Sequence, residues 1–322
     1  MITIYILLTI FLSAGLISYT TSNKMYGFSQ SNTNPIRGAL ILLVVFHHIF
    51  REFPIRYITC ETEYFGKFAV AGFFFMSGYG SMYSLLKKGN SYMDNFLEKK
   101  FRRILPLVMS LTCIILMFRY YFGGISEIQS VFHSSLTILP NSWFIWMLLL
   151  EYAAFFVVFR CCAERPLIGG GILLLINIMV HLLLNYCGVL SFWYARIYAV
   201  NLGVFVAIYE GKFNKLLSNH AFLLSALCII LLWLWCIHPT SRIMLLVDAT
   251  IPLVLYIICY FNDFDKPNKQ NDACSNHAMV RNRTFKHDFS ICWVLRILGK
   301  YSLHIYLIHG IILYLLTSLV SR

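Results

Sequence analysis

The sequence predicts an all-α polytopic integral membrane protein, with about ten transmembrane helices packed in a single bundle. Of its 322 residues, 59% are hydrophobic and only 12% are charged, and the mean hydropathy is +0.71. A soluble domain of this length needs far more polar surface. The apolar residues are gathered in stretches long enough to cross a bilayer. We therefore expect one transmembrane domain over residues 1–322.

The predicted spans begin with an N-terminal helix at 2–19. This stretch lacks a basic leading region and a clear small-residue cleavage site, so we interpret it as a retained helix rather than a signal peptide. The longest polar segment, 262–295, shows no clear period, and we interpret it as a mobile cytoplasmic loop. The other predicted spans lie at 36–53, 68–86, 104–122, 142–159, 167–185, 192–209, 220–237, 243–261 and 296–319.

The basic residues give the orientation of these spans. The loop from Lys87 to Arg103 carries six of them, which places it in the cytoplasm by the positive-inside rule. Alternation then assigns 19 of the 26 Lys and Arg residues to the same side, with both termini outside. The net charge of +12 therefore indicates membrane topology and contact with membrane lipids, not nucleic-acid binding. We expect a multi-pass protein of the cell membrane.

The ten cysteines do not indicate a metal site. They are scattered, with no CxxC pair and no Cys/His spacing suited to zinc. We expect no metal and no permanently bound cofactor.

The second predicted span carries an arginine near one end and histidines near the other. The eleven steps from Arg37 to His48 turn a helix by about 1100°, which leaves both side chains within roughly 20° of one face and about 16 Å apart along the axis. Ionisable residues inside a membrane mark a functional site by default. A cavity-facing His48 suits a general base, whereas the simpler interpretation is a buried imidazole bonded to a neighbouring helix. A guanidinium at Arg37 suits a phosphorylated or carboxylated ligand.

Two further motifs follow along the chain. Ser77 lies in a helix where Gly80 and Ser84 form a small-xxx-small pair, which favours close packing against the Arg37/His48 helix; a nucleophilic Ser77 is the sharper alternative. Lys100, Arg102 and Arg103 form a basic run. This run serves as a topological signal, as a clamp for a polyanionic ligand, or as both.

Polar side chains also occur inside two later spans. Glu151 lies near the middle of its span, and a carboxylate at that depth needs a partner or a proton; Arg196 or a histidine is the expected partner. Ser302, Tyr306 and His309 fall within roughly 60° of each other on the last helix. This stripe fits cavity lining and helix–helix hydrogen bonding equally well.

Taken in order, these motifs resemble the membrane-bound acyltransferase-3 family, whose members O-acylate cell-surface polysaccharides, peptidoglycan and related glycans. The resemblance rests on the Arg37–ten residues–His48 helix, on Phe73-Phe-Phe-Met-Ser-Gly78, on the basic run ending Arg103-Ile-Leu-Pro106, and on the stretch from Ser302 to His309. Two features depart from the family pattern. Lys100 replaces the first arginine of the family's R-x-x-R, and an extra span precedes the Arg–His helix.

The resemblance implies an O-acyltransferase that uses acyl-CoA, most often acetyl-CoA, from the cytoplasm. Arg37, Lys100, Arg102 and Arg103 would meet the donor phosphates, and His48 would deprotonate a hydroxyl of a glycan or lipid-linked glycan. Ser77, Glu151, Ser302, Tyr306 and His309 are further candidates for the site. The alternative is a polytopic glycan or lipid exporter, or a polysaccharide polymerase, without acyl transfer. The absence of a visible repeat and the Arg/His pair within one helix argue against an exporter.

Overall fold

The structure is a computed structural model that describes residues 9–10, 13, 16–17, 27–53, 59–134, 138–237, 241–262, 264 and 291–320. These residues are almost entirely helical and include no strand. A short 3₁₀ turn at Ser191–Trp193 precedes the seventh helix. The helices in chain order are α1 (Gln30–Glu52), α2 (Thr59–Lys88), α3 (Ser91–Asp94), α4 (Phe96–Ser134), α5 (Trp143–Cys162), α6 (Pro166–Tyr186), α7 (Tyr198–Ile208), α8 (Glu210–Ile237), α9 (Ser241–Phe261), α10 (Ile291–Lys300) and α11 (Ser302–Val320).

Seven helical segments among the described residues are long and apolar enough to cross a membrane. The predicted all-helical architecture is confirmed, while the total of about ten spans stays a prediction. Most of the predicted N-terminal span 2–19 lies outside the described residues. The seven segments are Gln30–Glu52, Ser91–Ile125, Trp143–Cys162, Pro166–Tyr186, Ser191–Ile208, Glu210–Leu231 and Ser302–Leu319.

The end of the predicted loop 262–295 was wrong. Residues 291–295 form the first half of α10, and the predicted span 296–319 is two helices divided at Tyr301. Packing of α10 against α1 stabilises this short helix. Residues 265–290 of the predicted loop lie outside the described residues.

Helix α1 begins at Gln30, six residues before the start of the predicted span 36–53. The hydroxyl of Ser29 accepts a hydrogen bond from the backbone N–H of Asn32 at 3.2 Å and so caps the helix. The side-chain amide of Asn32 donates to the carbonyls of Cys259 at 2.6 Å and Asn262 at 3.1 Å. These bonds join the start of α1 to the end of α9.

Glycines allow the helix crossings at the centre of the bundle. A Cβ on Gly38 would lie 1.9 Å from the carbonyl oxygen of Leu295, and one on Gly299 would lie 1.8 Å from that of Asn34. Helices α1 and α10 therefore touch through their backbones, as small residues permit in membrane bundles. In the same way, Gly78 of α2 meets Val200 of α7, with 2.1 Å between the added Cβ and the carbonyl oxygen.

The predicted packing role of Gly80 and Ser84 was wrong. No heavy atom lies within 4 Å of a Cβ added to Gly80, and the Ser84 hydroxyl donates back to the carbonyl of Gly80 at 2.7 Å. Gly78, two residues earlier, makes the close helix contact instead, and it does so with α7 rather than with α1. Gly80 and Ser84 line a cavity.

Candidate active site

A cavity of about 700 Å³ lies inside the bundle. This volume is within the range of pockets that hold cofactor-sized ligands. Helices α1 to α5 and α11, the first residue of α8 and residues 27–29 before α1 supply its walls. Its basic side chains are Arg37, Lys87, Lys100 and Arg103.

Three of the predicted donor-binding residues meet in this cavity. Arg37 reaches it from α1, whereas Lys100 and Arg103 reach it from α4. Like charges gathered inside an apolar bundle repel one another and are costly without an anionic partner. The arrangement therefore suits a ligand with several negative charges.

Ser77 is held in the cavity wall by a phenol. Its hydroxyl donates to the hydroxyl oxygen of Tyr152 at 2.8 Å, and the ammonium of Lys100 lies 4.3 Å from the centre of the Tyr152 ring. A serine nucleophile usually has an imidazole or a carboxylate beside it as general base, whereas the hydrogen-bond partner of Ser77 is a phenol. The geometry therefore favours a wall and positioning role for Ser77 over the nucleophilic alternative.

Arg102 does not join the other basic residues. Its side chain is 80% exposed and pairs with Glu98, one turn earlier in α4, at 3.3 Å. Arg102 does not line the cavity. A helix turns about 100° between neighbouring residues, so Arg103 faces inward while Arg102 faces away.

Ser302 and Tyr306 line the cavity at the start of α11. The Tyr306 hydroxyl donates to the carbonyl of Asn141 at 2.6 Å, which joins α11 to the turn before α5. The ring of Tyr306 packs against Phe144 at 5.2 Å and against His309 at 5.4 Å between centroids. Tyr306 thus lines the cavity and contacts His309 beyond it.

His48 and His309 form a buried pair beyond Tyr306. Their ring centroids are 5.0 Å apart, and the residues are 7% and 5% exposed. His309 Nδ1 bonds to the carbonyl of Tyr306, so this nitrogen carries the proton and Nε2 is the acceptor in the neutral ring. Among the described residues, neither His309 Nε2 nor His48 Nδ1 has a hydrogen-bond partner. Both nitrogens can therefore take a hydrogen bond or a proton from a ligand.

Glu151 belongs to a different cluster. It is 2% exposed and does not line the cavity. The side-chain amide of Asn177 donates to Glu151 at 3.1 Å and to Asn201 at 2.8 Å. These bonds join α5, α6 and α7, and the hydrogen bond that Glu151 accepts comes from an amide. The cluster has the geometry of an interhelical brace.

Sequence reasoning did not assign several cavity residues. Lys87 was counted only as a topological charge, and Glu210 was not considered. Tyr152 follows Glu151 directly. The sequence marks Glu151 by its charge, but it is Tyr152 that lines the cavity. Clusters of three or more His, Cys, Asp or Glu side chains able to hold a metal ion are absent from the described residues.

The fold and the cavity define an all-helical, multi-pass membrane protein with a basic internal site. A family profile described as an acyltransferase domain matches residues 34–322. The chain therefore belongs to the acyltransferase-3 family and is a membrane acyltransferase. The match begins after the predicted N-terminal span. No curated protein and no solved structure matches the chain.

Proposed function

We propose that this protein transfers an acyl group, in the simplest case acetyl, from acyl-CoA to a hydroxyl of a cell-surface or lipid-linked glycan. The observation that supports this proposal is the basic cavity. It extends from Arg37, Lys100 and Arg103 to Tyr306, with two buried histidines beyond it. The basic residues suit a negatively charged donor, and the histidines suit the removal of a proton from the acceptor. Membership of the acyltransferase-3 family agrees with this chemistry.

In the proposed reaction, the donor enters with its phosphates on Arg37, Lys100 and Arg103. His48 takes the proton of the acceptor hydroxyl as its oxygen attacks the thioester carbonyl. The carbon–sulfur bond breaks, the acyl group stays on the acceptor oxygen, and the thiolate receives the proton from His48. The unpartnered Nε2 of His309, beside His48, supports a role for the pair in holding the acceptor hydroxyl.

The topology follows from the same proposal. We place the 87–103 loop in the cytoplasm and the protein in the cell membrane, with about ten spans. Lys87, at the end of α2, and Tyr92, in α3, line the cavity. The donor would therefore enter from the cytoplasm, where acyl-CoA is made, and the acceptor would approach the histidine end.

Mass spectrometry of the surface glycan tests this function. Cells carrying His48→Ala should lose one acetyl mass per modified unit, while the variant protein stays in the membrane. His304→Ala is the matched control, because His304 lies on the same helix as His309 but is exposed. An unchanged glycan mass would refute the assignment of His48. A glycan of normal mass that is shorter or missing from the surface would favour export or polymerisation instead.

A further inference from the structure

Among the described residues that line the basic cavity, Glu210 is the one carboxylate. Its Oε1 accepts a hydrogen bond from the hydroxyl of Tyr79 at 2.7 Å. Tyr79 is only 3% exposed, so its packing fixes the position of the carboxylate. A negative charge weakens any cavity whose sole task is to attract an anion. Glu210 therefore indicates a ligand that presents hydrogen-bond donors as well as negative charge.

An aromatic surface lies beside this carboxylate. The rings of Tyr79 and Tyr83 are 5.8 Å apart and inclined by 12°, and Phe28 packs edge-on against Tyr79 at 4.8 Å. Tyr83 is 41% exposed. No heavy atom lies within 4 Å of a Cβ added to the neighbouring Gly80. A flat, accessible ring beside open space suits stacking with a planar heterocycle.

The positions along α2 give an order to the cavity. Phe73 lies at the inner end, Ser77 about 6 Å further along the helix, and Tyr83 about 9 Å beyond Ser77. Ser77 is at the level of Tyr152 and Lys100. An apolar inner end, a basic middle and an outer part with aromatic rings, one carboxylate and Lys87 therefore follow each other. A nucleotide-linked thioester has the same order of acyl arm, phosphates and base.

We propose that Tyr83 and Glu210 form a subsite for the adenine base of the acyl donor. The base stacks on Tyr83, and its exocyclic amino group donates a hydrogen bond to the Glu210 carboxylate. This inference rests on the proposed use of acyl-CoA. It selects a nucleotide-linked donor over an acyl group carried on a phosphopantetheine without a base.

Binding measurements on the purified full-length protein in lipid nanodiscs test the role of Glu210. The probes are acetyl-CoA and its analogue with hypoxanthine in place of adenine, which presents a carbonyl oxygen instead of the amino group. Wild-type protein should prefer acetyl-CoA by about tenfold, as expected for a hydrogen bond to a charged group. Glu210→Gln should reduce this preference to about twofold or less, because the neutral amide no longer repels the carbonyl. Glu164→Gln, an exposed carboxylate outside the cavity, should keep the full preference.

A second pair of variants tests stacking. Tyr83→Ala should weaken acetyl-CoA binding by about tenfold, since the base loses the ring on which it stacks. It should leave the binding of acetyl-4′-phosphopantetheine, which has no base, within about twofold of wild type. The unchanged binding also shows that the variant is folded. Tyr186→Ala is the matched control, because Tyr186 is 90% exposed and lies outside the cavity.

The possible failures are distinguishable. If wild-type protein binds acetyl-CoA but shows no preference over the hypoxanthine analogue, the subsite is refuted while the donor assignment stands. A preference that survives in Glu210→Gln refutes the role of this carboxylate. If wild-type protein binds neither acetyl-CoA nor acetyl-4′-phosphopantetheine, the proposed function itself fails, and the subsite fails with it.

Discussion

Arg102 and Arg103 are neighbours in the basic run, but their side chains lie in different environments. Arg103 lines the cavity, whereas Arg102 is 80% exposed and pairs with Glu98. A solvent-exposed ion pair within a helix contributes a few tenths of a kcal/mol. The two arginines therefore form a natural matched pair for testing where the donor binds.

We expect Arg103→Ala to raise the KM for acyl-CoA about tenfold or more, because a charge-assisted contact to a phosphate is lost. Arg102→Ala should change the KM less than about twofold. Steady-state transfer assays on membranes containing equal amounts of each variant measure both values. Equal effects of the two variants would contradict the structural separation and restore the sequence-based role of Arg102.

Glu151 is a buried carboxylate that accepts a hydrogen bond from the side-chain amide of Asn177. Glu151→Gln keeps an oxygen that can accept the same hydrogen bond, so acyl transfer should stay within about twofold of wild type. A large loss of transfer by well-folded Glu151→Gln protein would place Glu151 in the chemistry after all. The transfer assay used for the arginine variants decides this point.

Asn177 tests the same cluster through stability. Asn177→Leu leaves the Glu151 and Asn201 oxygens without their common donor, which costs about 1–3 kcal/mol for each unsatisfied group. The thermal unfolding midpoint in detergent should fall clearly. Asn219→Leu, an exposed position on α8, is the control and should change the midpoint little. An unchanged midpoint for Asn177→Leu would show that the brace contributes nothing.

At the scale of the helices, the crossing of α1 and α10 determines how the site is supported. Gly38 lies one residue after Arg37, and the carbonyl of Leu295 occupies the space of its missing Cβ. Arg296 of α10 donates to the carbonyl of Phe264 at 2.5 Å. Helix α10 is thus joined both to α1 and to the segment that follows α9.

Gly38→Ala should destabilise the protein by about 2 kcal/mol or more, because an atom cannot be added 1.9 Å from a backbone oxygen without separating the helices. Gly171→Ala should instead leave the stability unchanged or raise it. Nothing lies within 4 Å of its added Cβ, and alanine is favoured over glycine in a helix interior by up to about 1 kcal/mol. Unfolding midpoints in detergent compare the two. A stable Gly38→Ala variant would show that α1 and α10 do not cross so closely.

At the scale of the whole molecule, the site has two ends with different chemistry. Lys87 and Tyr92, both in the basic 87–103 segment, lie at one end, and the histidine pair lies beyond Tyr306 at the other. Charged acyl-CoA does not cross a bilayer unaided, because ionised groups are costly in hydrocarbon. In the proposed reaction, the donor therefore reaches the protein on the side of this segment.

Vesicles of opposite orientation test this arrangement. Radiolabelled acetyl-CoA added from outside should label the acceptor in inverted membrane vesicles and not in sealed right-side-out vesicles. His48→Ala vesicles of both kinds provide the background. Labelling in right-side-out vesicles alone would reverse the proposed orientation and contradict the assignment from the Lys and Arg distribution.

The sequence by itself determined the class of the molecule and which polar residues lie in its helices. Composition and span length require a helical membrane protein, because a buried backbone in hydrocarbon must satisfy its own hydrogen bonds. The spacing from Arg37 to His48 and the basic run with Lys100 and Arg103 are local patterns. They can be read without knowing which helices touch.

Only the tertiary structure decided which of these residues meet. It separated Arg102 from Arg103 and placed Glu151 in a brace with Asn177. It also brought His48 beside His309, 261 positions away in the chain, and added Tyr152 and Glu210 to the cavity. The physical reason is that helix periodicity fixes the face on which a side chain lies, whereas the partner of that face depends on close contacts such as those at Gly38 and Gly78. Those contacts join residues distant in sequence, and no local pattern specifies them.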